Sequence, residues 1–225
     1  MLESSPVTKA PRLILASNSP RRRQLLALTG LPFVVSAANV DERQLANENP
    51  ADYVLRLAET KAHAIKADAY QIVLAADTTV VDGSDILGKP QDEVEATAML
   101  RRLRGHTHQV YTGIALFHPN DRTLLKDLCV TDVPMRDYSD EEIHAYVATG
   151  DPLDKAGAYA IQHPGFQPVA RMEGCYASVM GLPVCHVLLQ LRKMGIQSQT
   201  DFFASCEERL EYQCPVSSAI LKGEI

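Results

Sequence analysis

Leu13-Ile14-Leu15-Ala16-Ser17-Asn18-Ser19-Pro20-Arg21-Arg22-Arg23-Gln24-Leu25-Leu26-Ala27-Leu28-Thr29-Gly30 is the stretch that decides the fold. Residues 13–16 are apolar and predict a short buried strand. Ser19 suits an N-cap and Pro20 a first helical position, so a helix is expected over 21–28, stopping at Gly30. A strand that passes through a polar turn straight into a helix is how an α/β unit begins.

Outward from there the alternation continues. A strand is predicted over 33–36, a helix over about 51–67, and a strand over 72–81 that ends at the Asp82-Gly83 turn. A helix follows over 92–103. Residues 109–117 and 123–135 read as a hairpin closed by His118-Pro119-Asn120-Asp121. Ser139 and Glu142 form a capping-box pattern for a helix reaching about Ala148, and another helix is expected over 183–193. Strand–helix alternation followed by a hairpin implies an α/β or α+β domain with a mixed sheet. Residues 1–11, with Pro6 and Pro11, read as a flexible leader; 12–195 form the domain. Residues 196–225 read as a polar C-terminal tail without firm periodicity, either loosely attached or a lineage-specific addition.

Composition narrows the function. A hydrophobic share of 46% over 225 residues can build a sizeable core, and a formal net charge of −6 leaves no basic stripe for nucleic acid. No apolar run is long enough to span a membrane and no signal-peptide pattern is visible, so no membrane partner is expected. Five cysteines without Cys-x-x-Cys spacing read as reduced thiols, and the protein as cytoplasmic.

Three charges sit in awkward contexts. Arg21, Arg22 and Arg23 lie in the first turn of a helix, where cations oppose the dipole. They form either a solvated face or, with Ser17, Ser19 and the free amides of the turn, a phosphate cradle; Arg23 is expected to face solvent. Lys61 falls on the stripe Val54, Leu57, Ala58, Lys61, Ile65, so its ammonium either snorkels outward or points into a cavity. Asp77 interrupts an apolar strand, where a carboxylate needs a partner or a metal unless it caps a turn. Asp41-Glu42 adds carboxylates. Oxygen donors of this kind suit a divalent cation such as magnesium or manganese, and His106-x-His108 lacks a third ligand for zinc.

These residues lie in segments that resemble the Maf nucleoside triphosphate pyrophosphatases. The segments are Leu15 to Arg22, Asp41-Glu42, Lys61-Ala62, Ala76-Asp77-Thr78-Thr79-Val80, Gly88-Lys89-Pro90, Gly105 to Gly113, Asp154 to Gln162 and Val179 to Pro183, in the family's order. The resemblance implies an α/β, two-lobed Maf/inosine-triphosphatase-like fold with a central mixed sheet and a cleft between lobes. It implies a metal-dependent enzyme whose partner is a nucleoside triphosphate, and a homodimer as a further partner. By position, Asp77 is the implied proton acceptor, with Glu42, Lys61 and Lys89 as further catalytic residues and Asp77 and Glu42 as metal ligands. Ser17, Arg21, Arg22 and Lys155 are the implied substrate-binding residues. Lys155-Ala-Gly-Ala-Tyr-Ala-Ile-Gln162 is similar to the subgroup acting on dTTP and UTP, in which Arg21, Thr78 and Gln162 would set specificity. Modified pyrimidine triphosphates fall in the same class. His163-Pro164-Gly165-Phe166 stands where the family has a small glycine-rich stretch. The rival readings are a house-cleaning pyrophosphatase for non-standard purine triphosphates and a non-catalytic nucleotide-binding regulator of cell division.

Overall fold

A computed structural model describes residues 12–224, so the expected leader over 1–11 lies outside the described residues. The chain forms β1 (Arg12–Leu15), α1 (Pro20–Ala27), β2 (Phe33–Val35), α2 (Pro50–Ala64) and β3 (Gln71–Asp82). It continues through β4 (Asp85–Leu87), α3 (Glu93–Leu103), β5 (Thr107–His118), β6 (Thr123–Pro134) and α4 (Asp140–Val147). Two single turns, Asp151–Asp154 and Ala156–Ala158, lead to α5 (Tyr176–Val179), α6 (Val184–Lys193), α7 (Phe202–Leu210) and α8 (Ser217–Lys222). The predicted caps form: Ser19 Oγ accepts from the Arg22 amide, and Ser139 and Glu142 cap α4 reciprocally.

The sheet order is β2-β1-β3-β5-β6, with β4 beside β3. β2, β1 and β3 are parallel, whereas β4 and β5 run antiparallel to β3, and β6 antiparallel to β5. This is the mixed sheet that the sequence predicts. Side chains alternate across it. Ile14, Ala16, Val73, Ala75 and Ala115 meet Ala58 and Ala62 of α2 on one face, while Leu13, Leu15, Ile72, Leu74 and Ala76 join the larger core on the other.

β3 changes neighbours along its length. Its first residues, Gln71–Leu74, pair with β1, and its last, Val80–Asp82, pair with β4. Between them the β3 edge opens at Asp77–Thr79, while the opposite edge stays paired throughout with β5. The opening separates a lobe around β1, β2 and α2 from one around β4, α3 and α4.

Two expectations need correction. The polar segment after residue 195 contains α7 and α8 and is not loosely attached: Phe202 and Ile220 are buried in the main core. Thr200 Oγ1 donates to the Thr29 carbonyl at 2.5 Å. The helices there are only nine and six residues long, and helices this short depend on tertiary contacts that local periodicity does not encode. β4 is likewise absent from the sequence reading, being three residues whose pairing is set by the Asp82-Gly83 turn. The unusual stretch 163–166 sends one residue into the core: Phe166 is buried and stacks on Tyr146 at 4.4 Å between ring centres, while Pro164 and Gly165 are exposed. Among the described residues no helix is long and apolar enough to cross a membrane.

Gly113 is opposite Asp77 in the β3–β5 register, and a Cβ there would lie 2.8 Å from the Val54 backbone of α2. Glycine therefore lets the helix sit close to the sheet. Gly113→Ala is expected to destabilise the fold by about 1–3 kcal/mol through overpacking. Urea unfolding checks this: the midpoint falls while the slope holds, and an unmoved midpoint refutes the close-packing role.

Candidate active site

The opening in the sheet floors a cavity of about 620 Å³. Ser17 to Arg22, Glu42, Lys61, Asp77 to Val80, Gly88-Lys89, Asp154 to Ala156, Tyr159 to Gln162 and Val179 to Gly181 line it. Almost every segment singled out in the sequence therefore arrives at one place.

At its base, sheet and helix periodicities converge. Asp77 has the same parity as Val73 and Ala75, so its side chain leaves β3 on the α2 face. Lys61 lies on the inward stripe of α2 with Val54, Leu57, Ala58 and Ala62. The Lys61 ammonium donates to Asp77 Oδ1 at 2.6 Å and forms an ion pair with Glu42 Oε1, also at 2.6 Å. Lys61 and Asp77 are buried, whereas the Glu42 side chain is half exposed. Burial raises the Asp77 pKa above the usual carboxylate range, against the opposing pull of Lys61 and Arg22. Partial burial pushes Glu42 upward too, but its hydrogen bond to Lys61 and the charges of Lys61, Lys89 and Arg22 leave its pKa lowered. Two neighbouring carboxylates thus differ in basicity, Asp77 being the better proton acceptor.

The loop carrying Glu42 is held by α2. Arg56 forks onto Glu48 at 2.5 and 2.7 Å, and the Tyr53 hydroxyl donates to the Glu42 carbonyl at 2.9 Å. Asp41 turns away and pairs with Arg43 on the surface.

The arginines of the first α1 turn separate as helical geometry requires. Arg23 is exposed, while Arg21 and Arg22 border the cavity. Arg22 donates from Nε to the Gly181 carbonyl at 2.8 Å, from Nη2 to Thr78 Oγ1 at 3.2 Å and from Nη1 to Ser17 Oγ at 3.4 Å. Burial lowers its pKa, and the charge of Asp77 partly restores it. Thr78 has the opposite parity to Asp77. Its hydroxyl lies 3.0 Å from Thr112 Oγ1, which donates to the Ser178 carbonyl at 2.9 Å.

Lys89 is exposed at the cavity wall after β4, and Gln162 is exposed and lines the cavity with Met180. Lys155 is placed differently from a free phosphate ligand. Its ammonium donates to the Asp151 carbonyl at 2.5 Å, Asp151 Oδ1 at 2.9 Å and Asp154 Oδ1 at 2.6 Å. The charge is committed to the turn that carries it, and Asp154 also faces Arg21 at 3.9 Å. Tyr53 escapes the sequence reading, and Thr112 and Asp154 lie within its quoted segments without being given a role. Only the β3–β5 register, which pairs Thr78 with Thr112, would have exposed that of Thr112.

Among the described residues no group of three or more His, Cys, Asp and Glu side chains is placed to hold a metal. Asp77 and Glu42 nevertheless lie side by side, each giving one oxygen to the Lys61 ammonium and keeping a second. An oxygen-only pair fits a hard divalent cation that completes its shell with water and substrate phosphate oxygens. It does not fit a closed zinc site.

A family model described as Maf-like protein matches residues 12–194. The chain is 47% identical over 185 residues to a protein of Geobacter sulfurreducens named dTTP/UTP pyrophosphatase, covering 82% of this chain and 97% of that one. It is 49% identical over 185 residues to one of the same name from Myxococcus xanthus, covering 82% and 93%. Among solved structures, the Staphylococcus aureus Ham1 protein aligns over 89% of this chain and 98% of its own, at 13% identity and a TM-score of 0.41. Every cavity-lining segment falls within the matched span, and the chain belongs to the Maf family.

Proposed function

We propose that this protein hydrolyses dTTP and UTP between the α and β phosphates, releasing the nucleoside monophosphate and pyrophosphate. The observation that carries the proposal is the Asp77–Lys61–Glu42 cluster at the base of a cavity whose walls bear Arg21, Arg22 and Lys89. Carboxylates at the floor and cations around it suit a polyphosphate that must be held while water attacks. The names of the similar proteins support the choice of pyrimidine.

Water attacks the α-phosphorus in line with the leaving pyrophosphate, and Asp77, the more basic carboxylate, takes its proton. Lys61 keeps Asp77 and Glu42 together against their mutual repulsion. Arg21, Arg22 and Lys89 stabilise the charge that grows on pyrophosphate, and the Ser17 turn at the α1 N-terminus offers donors to phosphate oxygens. A divalent cation held by Asp77 and Glu42 would supply charge neutralisation on those oxygens. Lys155 contributes by holding Asp154 and Asp151 in place, so that its turn presents Tyr159 to Gln162 to the base. Arg21, Thr78 and Gln162 set specificity in this reading, with Thr78 fixed by Arg22 and Thr112.

Asp77→Asn keeps shape and hydrogen bonding but removes the proton acceptor, so turnover should fall at least ~100-fold. Pyrophosphate release is measured with magnesium and with manganese, beside a thermal melt to show that the fold persists; near-normal release rules out the role. Gln162→Ala should reduce the preference for dTTP and UTP over GTP by about tenfold, the worth of one base-edge contact. Equal losses of kcat/KM on all three nucleotides contradict a base-reading role. A panel that favours inosine triphosphate points to the purine house-cleaning class, and tight binding without hydrolysis points to the regulator.

A further inference from the structure

The family match stops at residue 194, yet the chain beyond it is fixed to the domain. Thr200 and Ser198 donate to the Thr29 carbonyl at 2.5 and 2.6 Å, and the Tyr212 hydroxyl donates to the Gly174 carbonyl at 2.9 Å. Gly30 is fitted to the same contact, since a Cβ there would lie 2.7 Å from Thr200 Oγ1. The segment therefore has a defined position against the end of α1 and the start of α5.

It encloses a second cavity of about 270 Å³, walled by Gln24 of α1, by Tyr176 and Met180, and by Arg209 and Glu211 from the end of α7. Gln162 and Met180 line both this cavity and the active-site cleft, so the two spaces adjoin there. Glu211 ends α7 in a left-handed conformation with a φ of 49°, its amide donating to the Glu207 carbonyl, and so closes the helix at the rim of the cavity.

We infer that the C-terminal segment completes the base end of the nucleotide site, with Arg209 donating to the carbonyl edge of the pyrimidine across the cavity it shares with Gln162. The inference rests on the nucleotide reading above. With the phosphates placed over the Asp77–Lys61–Glu42 cluster, the base is assigned to the part of the cleft lined by Gln162 and Met180, which also line the second cavity. Its chemistry suits a ring edge: Tyr176 and Met180 offer apolar and aromatic contact, and a guanidinium is a planar donor matched to carbonyl acceptors. Thymine and uracil present two ring carbonyls, whereas cytosine has an amino group in place of one. Arg209 is therefore a specificity residue that the family-matched part of the chain does not contain.

The test uses full-length Arg209→Ala, Arg209→Lys and Gln24→Trp, the last filling the cavity from an exposed position on α1. KM is measured for dTTP, UTP and dCTP, together with the inhibition constant of inorganic tripolyphosphate, which has phosphates but no base. Arg209→Ala is expected to raise KM for dTTP and UTP about tenfold and to lower the preference for dTTP over dCTP by a similar factor. Tripolyphosphate inhibition should stay unchanged, with partial recovery in Arg209→Lys; Gln24→Trp should raise KM for dTTP in the same way. Unchanged KM values in both Arg209→Ala and Gln24→Trp, or equal weakening of dTTP and tripolyphosphate, overturn the inference. If the wild type releases no pyrophosphate from any nucleotide, the hydrolytic reading fails by itself. Binding of a non-hydrolysable dTTP analogue against tripolyphosphate then still decides whether Arg209 reads the base.

Discussion

The ammonium of Lys61, placed between Asp77 and Glu42, is the interaction on which the rest of the site depends. A buried lysine and a buried aspartate each lose hydration on folding, and their attraction repays that loss only when the geometry is good. Here the contacts are 2.6 Å on either side of one nitrogen. That geometry has two independent sources. Strand alternation sends Asp77 to the α2 face, and helix periodicity sends Lys61 toward the sheet. Gly113 and the alanines at positions 58, 62, 75 and 115 let the two elements approach closely enough for the side chains to meet. Packing and electrostatics are therefore one constraint, because a bulkier helix–sheet contact would also pull the ion pair apart.

The cluster needs an opening, and the topology of β3 supplies one. A strand paired on both edges along its whole length would leave its backbone no room for a ligand. β3 instead gives up β1 after Leu74 and gains β4 at Val80, while β5 continues unbroken on the other edge. The interval leaves Asp77, Thr78 and Thr79 reachable without freeing the strand. The gap also lies at the carboxyl end of β1, where the α1 N-terminus begins, which is the position open α/β sheets use for ligands. Anion-binding donors and the carboxylate pair thus face each other across a break that the sheet itself creates.

Much of this arrangement is legible in the chain. The apolar run before Ser19-Pro20 marks β1 and α1, the capping box marks α4, and the hairpin is marked by its turn. Lys61 and Asp77 stand out as charges in apolar periodic patterns, and the structure brings them together. What escapes depends on long-range pairing. Thr112 reaches Thr78 only through the β3–β5 register, and Asp154 meets Arg21 only because a turn folds back over the cleft. Lys155, a substrate-binding residue by the resemblance, is engaged by two carboxylates of its own turn, which the sequence does not announce. The end of the chain was the least legible part, since α7 and α8 hold their shape through Phe202 and Ile220 rather than through any strong pattern of their own.

The protein carries a net charge of −6, yet its cleft is arranged for a polyanion. The resolution lies in how the local charges are partnered. Lys155 is neutralised by Asp151 and Asp154, and Lys61 by Asp77 and Glu42. Arg22 is fixed largely by neutral acceptors, the Gly181 carbonyl and the hydroxyls of Ser17 and Thr78, so its charge is oriented without being cancelled at contact distance. Arg21 meets Asp154 only at 3.9 Å, and Lys89 stands exposed on the opposite wall. Bonding a cation to neutral dipoles preserves its field for an incoming anion, and low-dielectric walls concentrate that field within the cleft. An acidic surface and a phosphate-seeking interior are compatible for this reason: carboxylates on the outside are screened by solvent, while Arg22 and Lys89 border the cleft without a carboxylate at contact distance among the described residues.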